Sequence, residues 1–192
     1  MSITACRSLL RSWLAECDKS HKTCTTPAKS FLPTRLLDLG EVDTQNRIRI
    51  VLSRHLSPDT RYVSLSHCWG ANVPFQLTTS TIDMMKAGFD LDELPKTFRN
   101  AVTVARWADV RYIWIDSCCI LQRSDADKNN EWKSDWEWEA GMMQHVYKNT
   151  YFNISADHSE NSHGGLFLPR LAYKFSPCAF NIPSIGQIHI LP

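Results

Sequence analysis

No apolar run in the sequence approaches the roughly 20 residues that span a bilayer, so no membrane span is expected. Charge of one sign is also missing: 21 Lys and Arg stand against 20 Asp and Glu, a net charge of +1 with no long single-sign run. A protein that binds nucleic acid by releasing counterions needs a basic surplus or stripe, so no nucleic-acid partner is expected. G-x-G-x-x-G, Walker, H-E-x-x-H and G-x-S-x-G motifs are absent, and so are internal repeats and low-complexity tracts. Arg7 and Arg11 interrupt the apolar pattern of the first 14 residues, which excludes a secretory leader there. A cytosolic or nuclear protein is implied, and a cytoplasmic location is expected. The seven cysteines are an odd number without an export signal, so free thiols are expected rather than a disulfide framework.

What is present fits one ordinary globular domain with an arm: 192 residues, 43% hydrophobic and 21% charged. The unusual feature is tryptophan. There are seven Trp against five Tyr, and Trp132, Trp136 and Trp138 fall close together.

Cys6, Leu9, Leu10, Trp13 and Leu14 have helical spacing. An extended stretch over 32–39 and the alternation Ile48, Ile50, Leu52 predict a hairpin. Residues 1–58 therefore read as an α+β arm. Residues 62–70 begin as a β-rich run and end in a Gly loop. Leu94-Pro95 opens a helix whose apolar face is Phe98, Ala101, Val102, Ala105 and Ala108. The near-continuous apolar run over 112–120 predicts a strand buried on both faces of a parallel sheet, so strand, helix and strand form a βαβ unit. A second amphipathic helix over 134–149 and a strand over 151–156 follow, then a loop with Gly164-Gly165. The core is assigned to 59–170. Residues 171–192 read as an extension ending in an alternating strand that stops abruptly, as if cut from a longer protein. The expected class is α/β, a small mostly parallel sheet flanked by helices.

In open α/β sheets ligands sit beyond the carboxyl ends of the strands. Ser66, His67 and Cys68, then Asp116 and Ser117, then Ser155, Asp157 and His158 are placed there. Asp116 reads either as a turn residue satisfying backbone donors or as a ligand group. Glu139 falls mid-arc on the apolar face of its helix, among Trp136, Ala140, Met142, Met143, Val146 and Tyr147. Glutamate is rarely buried unpaired, and burial raises its pKa. It is either a reacting carboxylate in a Trp-lined pocket or a structural partner of Arg99, Arg111 or Arg170. Cys17, His21 and Cys24 are three possible metal ligands, but the spacing matches no standard zinc finger, so a helix end with half-buried thiols is the plainer reading and no cofactor is expected. Cys118-Cys119 read as small core residues. A Cys68–His67 nucleophile pair is disfavoured because sequence neighbours seldom make the required hydrogen bond.

The blocks Tyr62-Val63-Ser64-Leu65-Ser66-His67-Cys68-Trp69-Gly70, Leu94-Pro95-Lys96-Thr97-Phe98-Arg99-Asn100-Ala101 and Arg111-Tyr112-Ile113-Trp114-Ile115-Asp116-Ser117-Cys118-Cys119-Ile120 resemble, in order, the signature of the fungal heterokaryon incompatibility (HET) domain. The resemblance continues through Trp136-x-x-Glu139-Ala140-x-x-Met143-x-x-Val146-Tyr147-x-Asn149 and Gly165-Leu166-Phe167, and Trp13-Leu14 with Cys17, His21 and Cys24 is similar to the usual lead-in. It implies fungal non-self recognition and programmed cell death. It also implies a core like that of TIR domains, some of which cleave NAD with a helix glutamate near a Trp. On that likeness Glu139 would be catalytic, with Ser66, Trp69, Asp116 and Trp136 binding NAD as substrate. Self-association is implied as well, and so are other incompatibility or NLR-type proteins as partners. The alternative is a non-enzymatic module that signals by oligomerising.

Overall fold

The computed structural model describes residues 3–21, 31–41, 46–71, 74–125, 127, 129–167, 178–182 and 186–190. In chain order the elements are α1 (Ile3–Ser20), β1 (Arg35–Asp38), β2 (Arg47–Leu52), β3 (Tyr62–Ser66), α2 (Ile82–Ala87), β4 (Phe89–Asp90), α3 (Lys96–Trp107), β5 (Tyr112–Ile115), α4 (Asp116–Cys119), α5 (Glu131–Asn149), β6 (Asn153–Ser155), β7 (Cys178–Ile182) and β8 (Gly186–Ile190). Six strands form one sheet in the order β4-β2-β1-β5-β3-β6, and β7 and β8 pair separately as an antiparallel hairpin. None of the described helices is long and apolar enough to cross a membrane.

The sheet is α/β with two halves. β5, β3 and β6 are parallel, and α3 and α5 make their crossovers. The predicted hairpin forms, and β1 joins it to the same sheet by pairing antiparallel with β5. The β1–β2 hairpin of the arm therefore extends the sheet of the core and makes it mixed. From β3 the chain crosses to β5 on one side, and from β5 it returns past β3 to β6 on the other. The right-handed rule for parallel crossovers puts α3 and α5 on opposite faces. The α5 side is visible in the contacts. Tyr62 Oη donates to the Val146 carbonyl at 2.7 Å, and Trp114 meets Tyr147 edge-on at 5.6 Å. Trp114, Tyr62 and Phe98 are the largest fully buried side chains and fill the space between sheet and helices.

The apolar run at 112–120 is not one strand. β5 stops at Ile115, and Asp116–Cys119 turns helical. At the turn, Asp116 Oδ1 accepts the Ser117 N–H at 2.7 Å, and the Asp116 carbonyl accepts the Ile120 N–H at 2.9 Å. Cys118 and Cys119 lie on this turn and are both buried, as core residues would be. Pro95 immediately precedes α3, which begins at Lys96.

A buried carboxylate ties the two halves together. Asp38, 3% exposed, accepts from Arg111 Nε at 2.6 Å and Nη2 at 2.9 Å, from Arg49 Nη2 at 3.3 Å and from the Gly40 N–H at 3.1 Å. Burial pushes its pKa up, but these donors outweigh burial and hold it below the ordinary value. Asp38→Asn is expected to cost about 1–2 kcal/mol at pH 7, because solvent screens the half-exposed guanidiniums. A group with a depressed folded pKa stabilises above its unfolded pKa. The gap between wild type and variant should therefore close as pH falls below about 4, in urea titrations at several pH values. A gap that stays constant down to pH 2 would show that the ion pair contributes nothing.

α1 is attached differently, since none of its residues is buried. It is held by Arg11–Asp109 at 2.6 Å and by Asp18, which pairs with Arg61 and accepts the Tyr151 hydroxyl, both at 3.0 Å.

Candidate functional site

β3 and β5 are neighbours whose C-terminal connections leave for opposite faces of the sheet. That is a topological switch point, where open α/β sheets form their ligand crevice. The end of β3 brings Ser66 there, the loop after it brings His67 and Trp69, and the turn after β5 brings Asp116. Trp69 Nε1 donates to Asp116 Oδ2 at 2.8 Å. Opposite it, Asp116 Oδ1 takes the Ser117 N–H and lies 3.7 Å from His67 Nδ1. From α5, Tyr147 hydrogen-bonds the Ser66 side chain. Three of the predicted substrate-binding residues, Ser66, Trp69 and Asp116, thus lie together at this switch point, with Tyr147 added. Tyr147 reads in the sequence only as part of an apolar helix face.

The Asp116 side chain is 18% exposed, so it is mostly desolvated yet open to solvent. Burial raises its pKa, against the His67 charge and the Trp69 and Ser117 hydrogen bonds. His67 is more deeply enclosed. Its side chain is 1% exposed, it packs edge-on against Phe98 at 4.8 Å, and neither ring nitrogen has a hydrogen-bond partner among the described residues. Burial lowers its pKa and Asp116 opposes that, so the ring is neutral at pH 7. The crevice therefore holds one oriented carboxylate beside a neutral imidazole. Such a carboxylate can stabilise a cationic transition state or hold ribose hydroxyls.

Glu139 lies elsewhere on α5. It is 2% exposed, and burial raises its pKa against a hydrogen bond from Thr34 and the charge of Arg35; Oε1 has no hydrogen-bond partner among the described residues. Arg35 is engaged by Asp135 in a two-pronged pair at 2.5 and 3.1 Å. The arginines named from sequence are placed otherwise. Arg111 is on Asp38, Arg99 donates to the Asp92 carbonyl, and Arg170 lies outside the described residues. Asp135 and Glu139, one turn apart, face the body of the domain. Trp136, about 100° round the helix, is turned outward and is 49% exposed, and no described hydrogen bond or ring contact joins it to Asp116. Trp138 is 65% exposed.

The loop after β6 packs on α3 through glycine. Gly70, at φ +70°, has room for a hydrogen only, because a Cβ would sit 2.6 Å from Asn161 Cβ. Gly165, at φ +88°, donates its N–H to Thr97 Oγ1 at 3.0 Å, and a Cβ there would lie 2.8 Å from Asn100 Oδ1. Gly165→Ala should cost about 1–3 kcal/mol through the left-handed backbone and that contact, read as a fall in Tm. An unchanged Tm would mean that the loop is not clamped on α3.

At the end of α1, His21 Nδ1 lies 3.4 Å from Cys17 Sγ. Cys24 lies outside the described residues. Among the described residues no group of three His, Cys, Asp or Glu is placed to hold a metal ion.

An open α/β domain with a carboxylate-centred polar cluster at its switch point defines the class of protein. A family model for heterokaryon incompatibility protein (HET) matches residues 62–183, from β3 through the crevice, α5 and β7, and the chain belongs to that family. No curated protein and no solved structure matches it.

Proposed function

We propose that this HET domain is a cytoplasmic effector of programmed cell death in fungal non-self recognition. It acts by cleaving the nicotinamide–ribose bond of NAD at the Asp116 crevice. The observation that carries this reading is the Asp116 carboxylate, held by two N–H donors in a mostly desolvated crevice at the switch point. As nicotinamide leaves, the ribose becomes oxocarbenium-like, and a fixed carboxylate stabilises that charge and then directs water to it. Trp69 and Tyr147 supply aromatic surface for the ring. This reading moves the reacting carboxylate from Glu139 to Asp116. Glu139, sealed under the Arg35–Asp135 pair, becomes a structural acid that fixes α5.

A second reading follows from the exposed Trp136 and Trp138 on α5. In it the domain kills by self-association without chemistry, triggered by other incompatibility or NLR-type proteins. One experiment separates the two. The domain, fused to a tetramerising tag, is incubated with NAD, and nicotinamide is followed by chromatography. Release above the tag-free background supports the enzyme. A fusion that kills cells without consuming NAD establishes the oligomerising module instead.

A further inference from the structure

The cavities along β1 and β2 are separate from the Asp116 crevice. One, of about 390 Å³, is bordered by Arg35, Asp38, Arg49, Lys86, Arg111 and Tyr112 together with an apolar wall that includes Ile50, Leu56 and Ile82. The other, of about 480 Å³, shares Asp38, Arg49 and Arg111 with it and continues past Arg47, Glu41 and Gly88. Asp38 lies opposite Tyr112 at the start of β5, whereas Asp116 follows the end of that strand. Four residues of strand put Asp38 about 13 Å from Asp116.

More cations than carboxylates line this cleft. Arg47, Arg49, Lys86 and Arg111 stand against Asp38 and Glu41, while Arg35 is engaged by Asp135 and Lys86 lies 3.8 Å from Asp83. The arrangement is also built. Asp38 is 3% exposed and holds two guanidiniums at once, Arg111 by Nε and Nη2 and Arg49 by Nε and Nη2. One buried carboxylate cannot neutralise two arginines. It orients them, and the Nη1 groups take no part in its contacts. Both side chains are about half exposed, 57% for Arg49 and 42% for Arg111. Oriented guanidinium donors with surplus charge suit phosphate oxygens, which arginine can contact through two hydrogen bonds. The apolar wall and Tyr112 offer a surface to a planar ring, and 390 Å³ lies within the range of small-molecule sites.

We propose that this cleft binds a nucleoside diphosphate, with the diphosphate on Arg49, Arg111 and Lys86 and the base against the apolar wall beside Tyr112. The site is distinct from the crevice where NAD is read to react, and the proposal does not depend on that reaction.

The test is calorimetric titration of the full 192-residue chain with ADP, and with pyrophosphate and adenosine as its two halves. ADP should bind, more weakly as salt is raised, with pyrophosphate weaker and adenosine weakest. Arg49→Gln combined with Lys86→Gln should raise the ADP Kd tenfold or more. Lys86→Gln alone, on an exposed helix position, should raise it about threefold and keeps the test valid if the double variant does not fold. Asp116→Asn should bind ADP as wild type does. No ADP binding at millimolar concentration overturns the proposal, as does an unchanged Kd in the Lys86 and Arg49 variants. Loss of ADP binding in Asp116→Asn overturns it by placing the nucleotide at the other site, and pyrophosphate binding as tightly as ADP removes the base subsite.

Discussion

Trp114→Ala is expected to lower the unfolding free energy by about 3–5 kcal/mol, the range for deleting a fully buried aromatic side chain. Trp114 is 0% exposed and lies in register with Ser64 on β3, in a strand that also pairs with β1. Its ring is met edge-on by Tyr147 at 5.6 Å and 80°. Deletion would remove the contact that seats α5 on the sheet and leave a cavity that the paired backbones cannot close. The indole N–H is buried without a hydrogen-bond partner among the described residues. Trp114→Phe loses volume but also removes that orphan donor, so its cost should be well below that of alanine. Urea unfolding at unchanged m-value is the measurement. A loss below about 1.5 kcal/mol for alanine would mean that α5 does not pack on β5 as described. The damage should also reach the crevice, since Tyr147 hydrogen-bonds Ser66.

Much of this was legible in the sequence, because patterns of period 2 and 3.6 carry it. The βαβ order, the N-terminal hairpin and the position of Asp116 at the sheet rim follow from local periodicity. The turn at Asp116–Cys119 does not, because four apolar-rich residues carry no period that separates a strand from a helical turn. The two-residue β4 and six-residue α2 are too short to show a period. The burial of Glu139 was legible in its helix arc. Its surroundings were not, because Arg35 is engaged by Asp135 across 100 residues of chain. That pair also turns Trp136 outward, against its place in the apolar arc. The basic cleft had a signal in the polar half of the β2 alternation, Arg47 and Arg49. The balanced total charge masks it, since a sum says nothing of where charges meet.

Asp116→Asn is expected to reduce nicotinamide release from NAD by about 100-fold or more, the scale for removing one preorganised electrostatic group from a reaction centre. Its effect on Tm should be small. Burial disfavours the ionised form, so a neutral isostere relieves that penalty while giving up part of the contacts with Trp69 and Ser117. The pH profile gives an independent readout. The proposed reaction needs the carboxylate, and its pKa is raised by burial, so activity should fall on the acid side at a pH above the ordinary range near 3.9. Trp69→Phe removes a donor that favours the ionised form, which should move the acid limb to still higher pH. A structural role for Asp116 would shift Tm and leave that limb in place. Glu139→Gln is the decisive contrast. It should keep most of the wild-type rate if Glu139 is a structural acid. Abolished release in Glu139→Gln at unchanged Tm, with Asp116→Asn still active, would return the reacting carboxylate to α5.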